Sequence, residues 1–415
     1  MGQKKENVIV IGAGIVGIST AIWLQRSGHK VTLIDREGPA SGTSYGNAGI
    51  LASAAIIPVT TLPQMKKAPK MLLKSDSPLF MRWSYLPKLL PFLARYLPMS
   101  QDKHVRRIAK SLADMMHDAA DQHLALAKGT PAEKFIVQDD YIFGYANEEA
   151  FKKDAYDWNI RKELGVQFET LDVAQLAEYD PALKGRFGYA VRCLNHGRIT
   201  DPGEYVKALC AHMEAKGGKL VIGEANNILK QGNLAVEIET TNGSFKADQI
   251  IITSGAWSAP LMKQLGVDVP LESERGYHLE FVNASVMPKT CTMVSAKKFA
   301  MTPMNGRLRC AGIVEFGGLT EKRSRAPFDL LKRQTLELLP DLKYDRIDEW
   351  MGHRPSTPDS LPLIGALKDT PNVWTGFGHQ HIGLTAGPKT GRWLTQMIKG
   401  ETPNTDMEPF NPDRF

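Results

Sequence analysis

The chain has 415 residues, of which 43% are hydrophobic and 23% charged, and its formal net charge is +6. This length predicts two domains or more with a sizeable buried core. The positive charge is spread along the chain without a block of like charges, which argues against a nucleic-acid partner and is compatible with a negatively charged substrate or membrane surface. The sequence has no run of about 18 apolar residues, so we expect no segment that spans a bilayer.

The cysteines and the N-terminus indicate the compartment. Four cysteines without CxxC or metal-ligand spacing predict reduced, mostly buried thiols in a cytoplasmic protein. The N-terminal residues lead directly into an apolar strand, so we expect no signal peptide. No histidine or carboxylate cluster has metal-ligand spacing, and we therefore expect no metal site.

The first predicted elements form the start of a dinucleotide-binding unit. Residues 8–11 are consecutive β-branched residues, which is typical of a buried strand. Three glycines follow at the spacing GxGxxG: Gly12, Gly14 and Gly17. The first permits a tight turn, the second lets a pyrophosphate approach the backbone, and the third lets the following helix pack on the strand. A second strand, 30–34, ends at Asp35, where a ribose hydroxyl acceptor is expected. These residues alone leave NAD and FAD equally open.

Two unusual segments come next. Residues 36–51 are small, polar and glycine-rich, which favours a loop that lays its backbone N–H groups against a ligand. Residues 52–100 combine many prolines with leucines, aromatic residues and bases. Within them, 81–97 suits a helix on a membrane surface, and it equally suits short helices packed over an active site. We favour the packed arrangement.

Helices and strands alternate through the rest of the chain. The periodicity predicts helices over 101–127, 147–164, 171–179, 202–215, 326–339 and from the residues after 383 to about 398. Strands are predicted over 134–137, paired with 141–145, and over 186–191, 219–222, 227–230, 234–240, 244–246, 248–254 and 373–375. Residues 271–320 are predicted to be rich in strands, and 351–365 and 376–383 to be loops.

Five separated stretches occur in the order of one family: 8–17 with Asp35, 41–51, 254–258, 352–365 and 378–385. On these residues the chain resembles the FAD-dependent D-amino-acid oxidase and glycine oxidase superfamily. Within that superfamily, the loop Ser41-Gly42-Thr43-Ser44-Tyr45-Gly46-Asn47-Ala48-Gly49 looks like the bacterial D-amino-acid dehydrogenase branch.

This resemblance implies an α/β (α+β mixed) fold and FAD as the cofactor. A Rossmann-like FAD-binding domain would comprise 1–50, 198–270 and 346–415. A discontinuous antiparallel-sheet substrate domain would comprise 51–197 and 271–345 and cover the flavin face. Some relatives attach the flavin through a cysteine, but none follows Cys310 in this chain. We therefore expect non-covalent FAD.

The resemblance also implies which residues contact FAD. They are Gly12, Gly14, Ile15, Val16, Gly17, Asp35, Arg36, Ser41, Thr43, Ser44, Asn47, Ala48, Gly49, Leu51, Ala225, Ser254, Gly255, Trp257, Gly378, His379, Gln380, His381, Ile382, Gly383, Leu384 and Thr385. The backbone N–H groups of 378–385 and the helix after them would face the flavin edge on which negative charge develops. For the two histidines of this stretch we expect positioning or structural roles.

Three residues are candidates for catalysis. Arg354, which we expect in a loop rich in glycine and proline, matches the arginine that holds the substrate carboxylate in the family. Such a clamp would present the substrate Cα–H to the flavin for hydride transfer. Tyr277 and His353 are the other two candidates, and His278 is a candidate pocket-lining residue.

The resemblance predicts oxidative deamination of a D-amino acid, for which a cyclic one such as D-proline or hydroxyproline is a candidate. The imino or 2-oxo acid is the product, and electrons pass to a quinone or another carrier. Alternatives are an oxygen-using glycine- or sarcosine-type oxidase and a flavin-binding subunit of a multi-chain dehydrogenase. We expect a cytoplasmic protein without a nucleic-acid partner, and peripheral contact with the inner face of the membrane through 81–97 is one hypothesis.

Overall fold

The structure is a computed structural model that describes residues 5–72 and 76–415. Its strands are β1 (Asn7–Ile11), β2 (Lys30–Asp35), β3 (Ile50–Leu51), β4 (Leu79–Met81), β5 (Ile136–Tyr145), β6 (Phe168–Leu171), β7 (Tyr189–Ile199), β8 (Lys219–Ile222), β9 (Ala225–Gln231), β10 (Leu234–Thr240), β11 (Gly243–Lys246), β12 (Gln249–Ile252), β13 (Glu272–Val282), β14 (Cys291–Val294), β15 (Phe299–Met304), β16 (Arg307–Phe316), β17 (Arg346–Ser356), β18 (Leu363–Ala366) and β19 (Val373–Phe377).

The α-helices in the same part of the chain are α1 (Ile15–Arg26), α2 (Leu62–Leu72), α3 (Leu86–Tyr96), α4 (Asp102–Met116), α5 (Ala119–Ala127), α6 (Glu148–Lys152), α7 (Ala155–Glu163), α8 (Val173–Tyr179), α9 (Pro202–Ala215), α10 (Ser258–Gln264), α11 (Arg325–Leu338) and α12 (Gly383–Ile398). Among the long helices, α9 begins at a side chain that caps it. Asp201 accepts the backbone N–H of Glu204 at 3.0 Å ahead of Pro202.

The first sheet carries the predicted dinucleotide-binding unit. Its order is β18-β19-β12-β1-β2-β8, with parallel pairing except at the β18 edge. Its central strands are nearly continuous apolar runs because α1 and α12 cover one face and the three-stranded sheet β9–β11 with α10 covers the other. The carboxyl ends of these strands are therefore the open edge of the domain.

The second sheet forms the substrate side of the molecule. In the described residues it follows the order β17-β13-β16-β15-β14-β5-β7-β3, and β4 and β6 add to it beside β16 and β7. Most pairs are antiparallel, while β5 with β14 and β4 with β16 are parallel. Together with the first sheet it confirms the expected α/β (α+β mixed) fold class.

The boundary expected at residue 346 is wrong. Residues 346–356 form β17, which pairs with β13 of the second sheet along its whole length. The loop expected over 351–365 is wrong for the same reason, because its first six residues continue that strand. The sequence concealed the strand because its paired residues lie 64 to 84 positions earlier. In addition, one of its faces is polar or glycine except at Trp350, and Trp350 and Arg354 of that face border a cavity.

Two smaller expectations also needed correction. Residues 136–145 form one strand that pairs with β7, rather than two strands paired with each other, and a short 3₁₀ helix precedes it. The strand expected from 186 begins at 189. The predicted helices over 101–127 and 147–164 are each divided into two by a short turn.

The segment 81–97 packs over the second sheet and also leaves apolar residues in solvent. Phe92 and Tyr96 of α3 are buried against Phe316 of β16. On the outer side, Trp83 is 58% exposed and Leu90 54%. No helix of the described residues is long and apolar enough to cross a membrane.

Candidate active site

A cavity of about 340 Å³, which we call the dinucleotide cleft, opens at the carboxyl ends of the parallel strands. It is lined by the glycine turn after β1, the residues that follow β2 and β12, and the first residues of α12. Open α/β sheets bind their ligands at this edge. The sheet therefore brings together segments that the sequence separates by more than 300 residues.

The glycine turn places the start of α1 at the floor of this cleft. Gly12 has φ +108°, and a Cβ there would lie 2.7 Å from the carbonyl oxygen of Thr253. Gly14 is the N-cap and supplies no side chain, so the first N–H groups of α1 face the cleft, where Ser44 Oγ accepts that of Ile15 at 2.9 Å. Gly17 packs against the carbonyl of Gly12, which is the close approach expected of it.

The acid at the end of β2 closes the turn as well as facing the cleft. Asp35 accepts the backbone N–H of Ala13 at 2.7 Å and that of Gly38 at 2.8 Å. A carboxylate has about four acceptor positions, so capacity remains for a ribose hydroxyl. Nearby, the guanidinium of Arg36 lies 4.0 Å from the ring centre of Trp257, and both side chains line the cleft.

The loop over 41–51 is held by a buried arginine that the sequence analysis missed. Arg309 donates to the carbonyl oxygens of Tyr45, at 2.9 Å, and Asn47, and its Nε donates to Glu280 at 2.8 Å. Because the arginine is fully buried in β16, the second sheet fixes the loop between the two domains.

A second cavity of about 350 Å³, which we call the substrate cavity, lies between the 41–51 loop, β13, β17, β5 and α7. Thr43, Asn47 and Gln380 line both cavities, so they adjoin. The first turn of α12 also borders both, and its N-cap residue Ile382 makes no side-chain cap. The partial positive charge of that helix end is therefore directed to the junction.

Arg354 lies in the substrate cavity, on β17 rather than in a loop. Its guanidinium rests over Gly276, where a Cβ would lie 2.5 Å from its Cζ. Its Nη1 donates to the carbonyl oxygen of Ile313 at 3.3 Å, and this is its only hydrogen bond to the described residues. Burial lowers the pKa of Arg354 and the charge of Glu274 raises it. The guanidinium keeps donors free for a planar anion.

The far end of the substrate cavity is aromatic and contains a second arginine. Phe143 of β5 and Trp158 of α7 line it with Arg161, whose Cζ lies 4.6 Å from the Trp158 ring centre. The Nε of Arg161 donates to the carbonyl oxygen of Ala54 at 3.0 Å. This end provides apolar area for a ligand side chain.

The structure corrects the catalytic expectation for Tyr277. Its hydroxyl donates to Glu315 at 2.6 Å, and its ring packs edge-on against Phe328. Side chains alternate along a strand, so Tyr277 points to the face opposite Gly276 and the Arg354 guanidinium. The residue borders the cavity, but its phenol belongs to a buried network under α11.

The structure also corrects the expectation for His353, which lies outside the set of described residues that line the two cavities. Its Nδ1 is 2.8 Å from Ser273 Oγ, and its ring contacts the edge of Trp257. Burial lowers its pKa, which favours the neutral ring. It supports the wall of the dinucleotide cleft instead of reaching the substrate.

The other histidines divide between the two cavities and the core. His379 lines the dinucleotide cleft and bonds Thr390 Oγ1 at 3.0 Å, and burial lowers its pKa to about 3. His381 is exposed to the substrate cavity, and the surrounding protein and the charge of Arg354 lower its pKa to about 4. His278 lies outside the lining, stacked on Trp350.

Most of the residues that we expected to contact FAD are in the lining of the dinucleotide cleft. Four others are in the lining of the substrate cavity: Ala48, His381, Ile382 and Thr385. Four expected residues lie behind the lining: Gly17, Gly49, Leu51 and Gly378. The sequence analysis missed several residues that line a cavity: Thr253, Glu224, Asn226, Gln264, Glu274 and Arg161. A signal existed for Thr253, Glu224 and Asn226, since each adjoins a residue that was predicted.

These residues fit FAD. The side-chain-free turn at the start of α1 would hold the pyrophosphate, and Asp35 would hold the ribose. The ring system would lie toward the second cavity, beside the start of α12. The four cysteines are all buried and unpaired, as predicted, and each lies outside the described lining of both cavities.

Comparisons with known proteins agree with this geometry. Residues 7–397 match the family model DAO, described as FAD dependent oxidoreductase. A D-amino-acid oxidase of Bradyrhizobium diazoefficiens is 36% identical over 417 residues, which cover 99% of both chains. A D-amino acid dehydrogenase of Rhizobium johnstonii is 29% identical over 423 residues, covering 98% of this chain and 99% of the relative.

Solved structures show the same fold at lower identity. The glycine oxidase of Geobacillus kaustophilus superimposes with a TM-score of 0.75 at 20% identity, over 99% of both chains. The L-proline dehydrogenase of P. horikoshii gives a TM-score of 0.75 at 18% identity, over 100% of this chain and 98% of that one. The chain therefore belongs to the DAO family of FAD-dependent oxidoreductases.

Proposed function

We propose that the protein catalyses the oxidative deamination of a D-amino acid. The observation that carries this proposal is Arg354, a guanidinium that is enclosed by protein in a cavity adjoining the dinucleotide cleft and makes no ion pair with the described residues. Relatives named D-amino-acid oxidase and D-amino acid dehydrogenase, which match nearly the whole chain, support it.

Different residues of the substrate cavity would position different parts of the substrate. Arg354 would pair with the substrate carboxylate through two parallel hydrogen bonds, which fix orientation as well as charge. The aromatic end around Trp158 would take the side chain. Bound FAD supplies the acceptor for a hydride from Cα, which leaves an imino acid that water hydrolyses to the 2-oxo acid.

Several amino acids suit this cavity, including cyclic ones. A volume of about 350 Å³ admits a side chain beyond the carboxylate clamp. A secondary amine such as D-proline or hydroxyproline would be oxidised by the same route, because the reaction needs a Cα–H and a nitrogen lone pair. We propose non-covalent FAD, so acid precipitation of the protein should release all of the flavin into the supernatant.

For the electron acceptor we propose a quinone or another carrier, reached at the cytoplasmic membrane surface through the segment 81–97. Trp83 and Leu90 are exposed on this segment beside the bases Lys88 and Arg95. Binding to vesicles with anionic lipid should fall on W83S/L90S substitution without change in FAD content. Equal sedimentation of both proteins would contradict the membrane contact.

Oxygen is the second candidate acceptor, and the D-amino-acid oxidase at 36% identity favours it. The test is anaerobic bleaching of the bound flavin by D-amino acids, cyclic imino acids, glycine and N-methyl amino acids, followed by reoxidation with air or with a quinone. Rapid formation of peroxide would assign oxygen. A flavin that no amine reduces would overturn the proposal and favour a subunit of a multi-chain dehydrogenase.

A further inference from the structure

A buried carboxylate lies opposite Arg354, and one of its oxygens has no hydrogen-bond partner among the described residues. Glu274 of β13 is directly opposite Arg354 of β17 in the register, and it is only 3% exposed. It lines the substrate cavity, and its Oε1 has no hydrogen-bond partner among the described residues. No ion pair within 4 Å joins it to Arg354 in the described structure.

A neighbouring residue of the same strand shows what a satisfied carboxylate looks like here. Glu272 is also buried, but it accepts the Tyr85 hydroxyl at 3.1 Å and the backbone N–H of Ser273 at 2.8 Å. It lies outside the described cavity lining. A buried carboxylate oxygen without a hydrogen bond lowers the free energy of unfolding, whereas a ligand cation that binds there compensates for this loss.

We propose that Glu274 binds the amino group of the substrate whose carboxylate Arg354 holds, and that it takes the ammonium proton before Cα–H is transferred. This inference rests on the proposed function and adds a group that recognises the amine. Directly opposed side chains on antiparallel strands have Cβ atoms about 5 Å apart. The two charges therefore face one zwitterion, with opposite signs side by side.

The proton transfer balances without a further reactant. The substrate arrives as an ammonium, one N–H bond breaks, and an O–H bond forms on the Glu274 carboxylate. The electron pair that stays on nitrogen forms the C=N bond as the hydride leaves Cα for FAD. Glu274 returns its proton to water once the product has left, so each turnover begins with the carboxylate.

The groups around Glu274 support this role. Burial raises the pKa of Glu274, and the charge of Arg354 and the hydroxyl of Ser356 partly oppose the rise. Tyr96 of α3 and Glu272 also interact electrostatically with it, and Phe316 is its apolar partner on β16. The other titratable groups that line the cavity are Tyr141, Tyr145, Asp154, Asp157, Arg161, Tyr277, Lys298 and His381. A raised pKa makes the carboxylate a better proton acceptor than an exposed glutamate.

The test compares E274Q with E272Q in the FAD-loaded enzyme. The two ligands are the best amino acid of the panel and the same acid without its amino group, for example D-alanine and propanoate. The affinity for the amino acid is read from the concentration dependence of the rate of anaerobic flavin bleaching, and that for the des-amino acid from the shift in flavin absorbance. E274Q should weaken binding of the amino acid about 10- to 100-fold. Binding of the des-amino acid should be unchanged or tighter. E272Q should leave the ratio of the two affinities as in the wild type.

A second measurement varies the pH for the wild type and for E274Q. In the wild type, the preference for the amino acid over the des-amino acid should fall as the pH falls through the pKa of Glu274, above the usual value of about 4.3. In E274Q, kcat/KM should instead rise with pH up to the pKa of the free ammonium. An unchanged affinity ratio in E274Q, or a wild-type preference independent of pH, overturns the inference. The proposed function fails separately, if no amino acid reduces the wild-type flavin.

Discussion

The dinucleotide cleft and the substrate cavity are similar in volume but are built in different ways. Backbone groups, glycines and small polar residues at strand ends dominate the cleft. The substrate cavity has charged and aromatic side chains from strands of the second sheet and from α7 in its lining, beside small residues of the segment 46–59. A dinucleotide is therefore recognised by local chain geometry, and a substrate by which strands lie next to one another.

This difference explains why substitutions should separate the two regions. A change in the cleft alters FAD affinity through the turn after β1 or the acid after β2. A change in the substrate cavity alters capture of the amino acid while the first sheet stays intact. Measuring FAD content and kcat/KM together for a variant in either region makes an effect in the wrong region count against the assignment.

The largest effect is expected for R354A. Loss of the guanidinium removes the only cation expected to pair with the substrate carboxylate, and kcat/KM should fall about a thousandfold, or about 4 kcal/mol. The ratio of flavin to protein should stay unchanged, because Arg354 lies outside the dinucleotide cleft. Wild-type kinetics in R354A would contradict the assignment of Arg354 as the group that binds the substrate carboxylate.

G276A should have the next largest effect. A Cβ at Gly276 would displace the Arg354 guanidinium, which is the flexible end of its side chain, so the fold should tolerate the change. We expect kcat/KM to fall about 10- to 100-fold with FAD retained. The control is the double variant with R354A, where the second change should add nothing. Additive losses would show that Gly276 acts independently of Arg354.

The sequence predicted the cleft well because its signals are local. The β-branched run, three glycines and Asp35 lie within 30 residues, and each has one physical reason to be there. The helices also follow from local periodicity, whereas the fold class was implied by the family resemblance. Even Gly17, which lies behind the cleft lining, has the packing role expected of it.

The substrate cavity could not be predicted in the same way. Its geometry depends on the pairing of β13 with β17, which sets Glu274 opposite Arg354 across 80 residues. Without that register, a sequence does not show that Tyr277 faces Glu315 while Gly276 faces the cavity. The family resemblance supplied Arg354 as a residue, but the glycine and proline around it predicted a loop where the structure has a strand.

In the cleft, D35N should weaken FAD binding about tenfold. The amide keeps one acceptor but loses the charge that meets the Ala13 N–H and, in our assignment, the ribose hydroxyls. FAD affinity is measured by titrating the apoprotein, with the substitution E214Q at an exposed position of α9 as the control. The substrate KM of the fully loaded enzyme should stay the same. A changed KM with normal FAD affinity would reverse the roles of the two regions.

The smallest effect concerns pH and stability. His379 has a folded pKa of about 3, below its usual 6.5, so the unfolded chain binds the extra proton between these values. The contribution of His379 to the free energy of unfolding is constant above about pH 6.5 and decreases as the pH falls below this value. H379N, which removes this titrating group, should therefore lose about 1 kcal/mol less free energy of unfolding than the wild type between pH 7.5 and 5.5. Denaturant unfolding at saturating FAD measures this. Equal pH dependence of the wild type and H379N would contradict a neutral, buried His379.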